Sequence, residues 1–575
     1  MKHRVSVLFL LLCSVGVVCA SQNIIPLSSP LYGDMEMLYV SQGKSVPSGS
    51  RPWTENQARM YLQRIDASGL SPLAASLREE IATVLDGNER WRFPGNFSMG
   101  TWLDTSFEAY AHTNTDFDSY KDWTYSFVDR KPLLRLRLDF AIDPFLYTYC
   151  DLQYGYGLYT SEDTLTSFSS KGSDAVIGAL VSGSSYSDLV LVDEDSIQRL
   201  YRNRFSTNLI LQSKDFDFQW PKRAILSVGG TNWNFSLSRD RLDWGLSHIG
   251  NMVIDDHADF HEFARFVAFS PFFTYEATYI FPDWSYQVEN TNSAQPTYFR
   301  VFMLHRLEFR PWDKVTIAVS ENVMYKDTSF LPQYLNPSFI YHNLNVRSKF
   351  NALASVEASW VFLPGWNLYG QFVLDQAVAP NENPDAESNA WGGSAGIEWM
   401  GAVGKGMLRS ALEGAFTLPC LYRRDGIDFI YSRRYAGLNE GGSWNAQLFD
   451  YFGFPYGGDA VVVKWDSSWR VPQRGEAGLA VTMLLHGPVT MYTNVIGSSG
   501  YTTYGMTMFK DGYVDASLII TVRGTYQMPH PKFVDSWSLY GNASFIEKTH
   551  FDGTAGSFSS WENDIQFTLG CTVTI

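Results

Sequence analysis

Charge is what this chain has least of. Only 18% of its 575 residues are Asp, Glu, Lys or Arg, where soluble globular proteins carry roughly a quarter. Cysteine is scarce as well, with five in all. A mean hydropathy of -0.15 leaves no room for many apolar helical spans of about 20 residues each. Basic residues are outnumbered 60 to 44, for a net charge of -16, which excludes a general nucleic-acid binder. Disorder is excluded by the 45% hydrophobic content. Aromatics take the place of the missing charge: 18 Trp, 32 Tyr and 39 Phe make up 15% of the chain. Few charges, many aromatics and no long apolar run are the composition of a transmembrane β-barrel, whose strands are each only half lipid-facing.

The first twenty residues read as a secretory signal peptide. Lys2 and Arg4 form a basic start, Val5 to Val18 an apolar stretch, and Val18-Cys19-Ala20 a small-residue cleavage site before Ser21. A lipoprotein would need Cys19 as its first mature residue, and the bulky Val18 before it argues against that. Cleavage removes two basic residues, so the mature charge is 42 - 60 = -18. Cys150, Cys420 and Cys571 remain, too scattered for a disulfide framework or a zinc set.

Residues 21–95 differ from the rest of the chain. Asp34 is expected to cap a short helix bearing Met35, Leu38 and Tyr39, closed by Gly43. Thr54 with Gln57 forms a capping box ahead of Ala58, Tyr61, Leu62 and Ile65. Ser71 caps a third helix with Pro72 at its first position and a stripe of Leu73, Leu77, Ile81, Val84 and Leu85. These helices are too short to cross a bilayer. They predict a small periplasmic bundle, acting as a plug or brace at a barrel mouth or as a docking module for cell wall or another assembly protein.

From residue 96 to 575 the period is two. Leu134, Leu136, Leu138 and Phe140 alternate with Arg135, Arg137 and Asp139, which requires one face on lipid and one on water. Val356, Ala358 and Trp360 oppose Ser355, Glu357 and Ser359, and a Pro364-Gly365 turn leads into Leu368 and Phe372 opposing Asn367 and Gln371. The same pattern runs through 461–470, 514–523 and 536–545 and ends in Ile565 to Ile575. A terminal amphipathic strand is what barrel-insertion machinery handles, although Ile575 stands where Phe is usual. At ~9–11 residues per crossing, the chain predicts an all-β transmembrane barrel of about 18 antiparallel strands, with 16 or 20 as alternatives. Long loops at 157–205, 240–298, 376–391, 418–459 and 547–563 belong outside the cell, where recognition would sit.

Several motifs resemble the Wzi family of outer-membrane capsule-assembly proteins. Gly43, Pro47 and Arg51-Pro52-Trp53 precede the barrel; Ser238-Arg239-Asp240-Arg241-Leu242-Asp243-Trp244-Gly245 leads into Asn251-Met252-Val253-Ile254 and Ala258. His305 to Pro311, Val315 to Ser320, Leu335-Asn336-Pro337 and the strand ending at Asp375 are similar to the hairpins that come next in that family. The chain departs after Gly245, where Leu246-Ser247 replaces Pro-Gly. The resemblance implies an 18-stranded barrel with a periplasmic bundle, located in the outer membrane, that holds capsular polysaccharide without catalysis.

The candidate polysaccharide contacts are Arg239, Arg241 and Trp244: guanidinium on a uronic carboxylate, indole on a pyranose face. The alternative is an Arg ladder in the lumen paired with Asp240 or Asp243. Arg135, Arg137 and Asp139 read as lumen electrostatics. His257 and His261, four apart among Asp255, Asp256, Asp259 and Glu262, invite a metal. However, Ala258 stands where a His-Glu-x-x-His helix has Glu, so an acidic surface loop is the better reading. No phosphate loop or nucleophile elbow appears, and no catalytic residue, cofactor or metal is expected. The expected partners are outer-membrane lipid and surface polysaccharide. A porin or substrate-specific channel is the competing function.

Overall fold

The alternating strands close on one another. In the computed structural model the barrel has 18 antiparallel strands: β1 Phe97–His112, β2 Leu134–Ile142, β3 Leu146–Tyr154, β4 Ala224–Gly229, β5 Trp233–Asp240, β6 His261–Phe269, β7 Phe273–Ile280, β8 Phe299–Trp312, β9 Val315–Asp327, β10 Phe350–Leu363, β11 Trp366–Gln376, β12 Ala390–Val403, β13 Gly406–Thr417, β14 Ala460–Val471, β15 Gly475–His486, β16 Tyr513–Gln527, β17 Ser536–Asp552 and β18 Glu562–Thr574. Each pairs with its neighbour in sequence, and β18 closes on β1 through Gln566 opposite His112 to Thr574 opposite Asp104. The structure describes residues 21–575 except 87–89, 118–121, 126–127, 155–203 outside three short strands, 210–220, 283–298, 330, 339, 342–348, 378–387, 424–426, 440–441, 492–507, 510–511 and 532, and the side chains within 175–191 and 432–449. The expected signal peptide lies outside the described residues.

Burial on the strands inverts the rule of a soluble protein. On β10 and β11, Val356, Trp360, Leu368 and Phe372 are exposed, while Ser355, Glu357, Ser359, Asn367 and Gln371 are buried inside. Val463, Trp465 and Trp469 on β14 and Ile565, Phe567 and Leu569 on β18 continue the exposed apolar surface. A closed sheet has no unpaired edge and presents this belt to hydrocarbon, so the chain spans a membrane with its strands, as outer-membrane barrels do.

One end of the barrel has short turns, such as 143–145, 313–314, 364–365 and 404–405. The head covers this end with helices α1 Leu31–Ser41, α2 Glu55–Gln63 and α3 Pro72–Asp86. Thr54 accepts the Gln57 amide at 3.0 Å and Ser71 accepts that of Ala74 at 3.2 Å, as the sequence predicts. Asp34 is not a cap: Pro30 stands at the start of α1 and Asp34 lies buried one turn in. Of the expected stripe Val84 alone is exposed while Leu85 is buried, because the four-residue step from Ile81 holds the line of α3. Trp53, Tyr39, Tyr61 and Leu77 form the head's own core, which continues into Val361, Met400 and Met407 of the barrel wall. Arg64 donates to the Pro271 carbonyl at 2.6 Å, and Gln22 to that of Pro144 at 3.1 Å. The head is therefore a cap on the short-turn mouth.

Asp34 and Glu80 both hold Arg470, at 3.2 and 2.6 Å. Burial pushes the Asp34 carboxyl up to about 6, with Arg470 opposing and Glu80 adding to the rise. A raised carboxyl favours the folded state most below its unfolded value near 3.8, and that advantage is lost as pH rises through about 6. Asp34→Asn should therefore flatten the dependence of thermal unfolding on pH between 4 and 7. The difference at stake is at most about 3 kcal/mol. An unchanged pH profile in the variant would refute this role.

Candidate functional site

The inward positions of the barrel carry carboxylates that reach toward two chain segments entering from opposite ends. From the head, residues 45–54 rise into the lumen. Ser48 donates to Glu308 at 3.1 Å, Ser50 donates to Glu276, and Arg51 pairs with Glu36. From the other end, the chain after β5 turns inward. Ser50-Arg51 and Asp243-Trp244 meet as a two-residue antiparallel ladder inside the barrel. The Gly245 amide donates to the Gly49 carbonyl at 2.9 Å. A Cβ on Gly49 would lie 3.2 Å from the Gly245 backbone, so the two chains cross closely here.

The descending loop is fixed on every side. Ser247 and the His248 amide donate to Glu413 at 2.5 and 2.7 Å, and His248 meets Glu398 at 3.2 Å. The Met252 amide donates to Gln371 at 2.9 Å. Tyr422 caps the Met252 carbonyl at 2.6 Å, and the Asp255 amide reaches Phe452 at 2.9 Å. Leu242, Trp244, Met252, Val253, Ile254, Phe429, Phe452 and Phe454 pack with inward Phe302, Leu304 and Met324 into one apolar core within the barrel. A cavity between this loop and the wall, bordered by Leu246, Arg306, Glu308 and Gln371, holds about 20 Å³. That is room for a water and not for a sugar ring.

This arrangement corrects part of the sequence reading. Trp244 is fully buried, with its indole donating to Glu276 at 3.1 Å. It anchors the plug and offers no face to a pyranose. The segment 255–262 is not a fully exposed surface loop: Asp255, Asp259 and His261 are buried, while Asp256 between them stays half exposed. Its two histidines take different polar surroundings. Both rings lie against Tyr431, but His257 contacts Asp255 at 2.7 Å while His261 packs edge-on to Tyr431 and against Phe452, and among the described residues no set of three metal-ligating side chains gathers. Burial works to lower the His257 pKa, but Asp450, Asp255 and Asp256 overrule it and hold it at about 9, so the ring is charged at neutral pH.

Arg239 and Arg241 lie where β5 leaves the wall at the long-loop end. Arg239 pairs with Glu262 and lies 4.4 Å over the Phe260 ring. Arg241 contacts Asp256 at 2.9 Å and Asp129 at 3.6 Å. Asp240 and Asp243 take other partners, Arg223 at 2.8 Å and Arg51 at 3.9 Å. The carboxylates facing Arg241 are 49% and 53% exposed, so solvent reaches this cluster. Arg135, Arg137 and Asp139 face inward on β2 and pair with Asp151, Asp104 and Arg90 at 2.8, 2.9 and 2.6 Å. The sequence reading missed Glu276, Glu308, Glu398 and Glu413. Each stands at an inward position among apolar or small neighbours, the one signal that could have singled them out.

No protein-family profile and no curated protein sequence matches this chain. Among solved structures, it is similar to Wzi of Escherichia coli, described as an outer-membrane protein involved in group 1 capsule assembly and a carbohydrate-binding β-barrel. The two are 12% identical, with a TM-score of 0.53, over 96% of this chain and 99% of that one. The outer membrane channel DcaP of Acinetobacter baumannii also matches, at 9% identity and TM-score 0.32 over 84% and 99% of the two chains. So does Pseudomonas aeruginosa OprD, at 8% and 0.38 over 83% and 95%. The chain thus has the fold of an outer-membrane β-barrel, and over nearly its whole length it shares that fold with Wzi.

Proposed function

We propose that the protein binds or organises surface polysaccharide, capsular polysaccharide in particular, at its extracellular end and performs no catalysis. The observation that carries this reading is the filled lumen. Segments from both ends meet inside the barrel and bury an apolar core where a porin keeps its water path, which argues against a channel. With the lumen filled, recognition at the cell surface falls to the outer rim, and the similarity in fold to a carbohydrate-binding barrel supports a glycan there. Arg239 and Arg241 are the candidate contacts. Their partner carboxylates are partly solvated, so an anionic glycan can take over the guanidinium groups without leaving a buried charge unpaired.

The test is retention of the native surface polysaccharide by the purified barrel. Arg239→Ala with Arg241→Ala should weaken retention about tenfold, the scale of one charge-assisted contact. Raised salt should weaken the unchanged protein in the same direction. A barrel with no affinity for its own cell's glycans, or a double variant that binds as before, would remove this reading.

A further inference from the structure

The hairpin of β17 and β18 carries a second feature on its outer surface. Going up β18 from Ile575, the outward positions stay apolar as far as Ile565, which faces Phe545 of β17. Ten residues tilted by ~40° rise about 25 Å, the height of a barrel's lipid-facing band. The next outward pair is polar, Glu547 opposite Asn563, and marks the top of that band. Aromatics then return beyond it. Phe551 faces Phe558 with centroids 5.0 Å apart, and Phe558 stacks on Trp561 at 6.3 Å and 20°. Phe558 and Trp561 are 59% and 54% exposed. Phe551 stands six residues past Phe545, about 15 Å higher along the tilted strand. Two large rings this open to solvent above the hydrocarbon are not explained by lipid contact.

We propose that Phe551, Phe558 and Trp561 form a stacking shelf for the sugar headgroup of an outer-leaflet glycolipid. The shelf continues the lipid-facing side of the wall, separated from it only by the Glu547–Asn563 row, so its occupant is whatever stands on top of the lipid at that height. The near-parallel Phe558 and Trp561 rings present an apolar face that matches the C–H face of a pyranose, and Phe551, tilted 54° to Phe558, backs them. Exposed Ser557, Ser559 and Ser560 around it supply groups for sugar hydroxyls. The shelf is independent of the Arg239 and Arg241 cluster on β5 and would anchor the barrel to its leaflet whatever that cluster binds.

The experiment uses the full mature protein in phosphatidylcholine nanodiscs containing either lipopolysaccharide with its complete core saccharide or the same glycolipid hydrolysed to lipid A. Retained glycolipid is counted by native mass spectrometry. The unchanged protein should retain the saccharide-bearing form about tenfold better than lipid A. Phe558→Ala with Trp561→Ala should abolish that preference, and Trp561→Phe should keep it. Heat-dependent gel migration confirms that each variant is folded, and Arg239→Ala with Arg241→Ala should leave the preference intact. Equal retention of both glycolipids, or an undiminished preference in the folded double alanine variant, would overturn the proposal. So would a shelf that instead captures free soluble polysaccharide.

Discussion

In planar bilayers the intact protein should carry no steady current, and removing residues 246–256 should produce discrete conductance steps, a rise on the order of tenfold or more. An 18-stranded wall encloses a lumen wide enough for water when nothing fills it. Here Met252, Val253 and Ile254 occupy that space, pressed between Phe302, Met324 and the Phe452-Phe454 segment. The loop is held by Glu413, Gln371 and Tyr422, which belong to the wall and to a second segment, so the wall does not depend on the loop for its own ladder. Deletion should leave the barrel closed as a sheet but open along its axis. Single-channel recording decides the matter. Steady, porin-like conductance in the unchanged protein would refute the filled lumen and favour the channel reading.

The architecture was legible because the membrane imposes a simple code. Alternation such as Arg135-Leu136-Arg137-Leu138-Asp139 has one explanation when no soluble core can accept either face, and the register places these residues as the alternation demands. The capping residues Thr54 and Ser71 were legible for a local reason, since a hydroxyl three residues ahead of an amide is a contact within one turn. Asp34 was misread because the same residue type that caps a helix can also serve a distant cation, and Arg470 is 436 positions away.

The candidate site was less legible, for reasons that again concern distance. An Arg-rich stretch ending in Trp244-Gly245 reads as a polysaccharide-binding loop or as an Arg ladder lining the lumen, and neither reading foretells that the loop turns inward. The deciding partner, Ser50, lies almost two hundred residues earlier. Long extracellular loops carry no periodicity that says whether they stand out in solvent or fold inward. Only the glycines give a hint: Gly245 has φ +136°, and a side chain there would strike Asn251 and Gln371. Such a residue belongs to a crowded interior.

Replacing Arg265 with Met should destabilise the folded barrel by about 3–5 kcal/mol, the cost of leaving a buried carboxylate without its cation. Arg265 on β6 and Glu276 on β7 are both fully enclosed, with the guanidinium donating to the carboxylate at 2.6 and 2.9 Å. The same carboxylate accepts from Trp244 at 3.1 Å, Thr278 at 2.8 Å and Ser50, while Arg265 also donates to the Pro52 carbonyl at 2.7 Å. This pair therefore ties the wall, the descending loop and the rising head segment at one point. Removing the cation alone strands the charge. Pairing Arg265→Met with Glu276→Gln removes the charge while keeping an oxygen for Trp244 and Ser50, so the double variant should be more stable than Arg265→Met alone. Urea unfolding in detergent micelles measures both; their difference reports the cost of the stranded carboxylate, and Glu276→Gln alone completes the cycle that gives the coupling. If Arg265→Met unfolds within about 0.5 kcal/mol of the unchanged protein, the charge at Glu276 is not what holds the plug. If it unfolds early, the loss should appear first as current through the bilayer, because the knot that stabilises the barrel is the one that closes it.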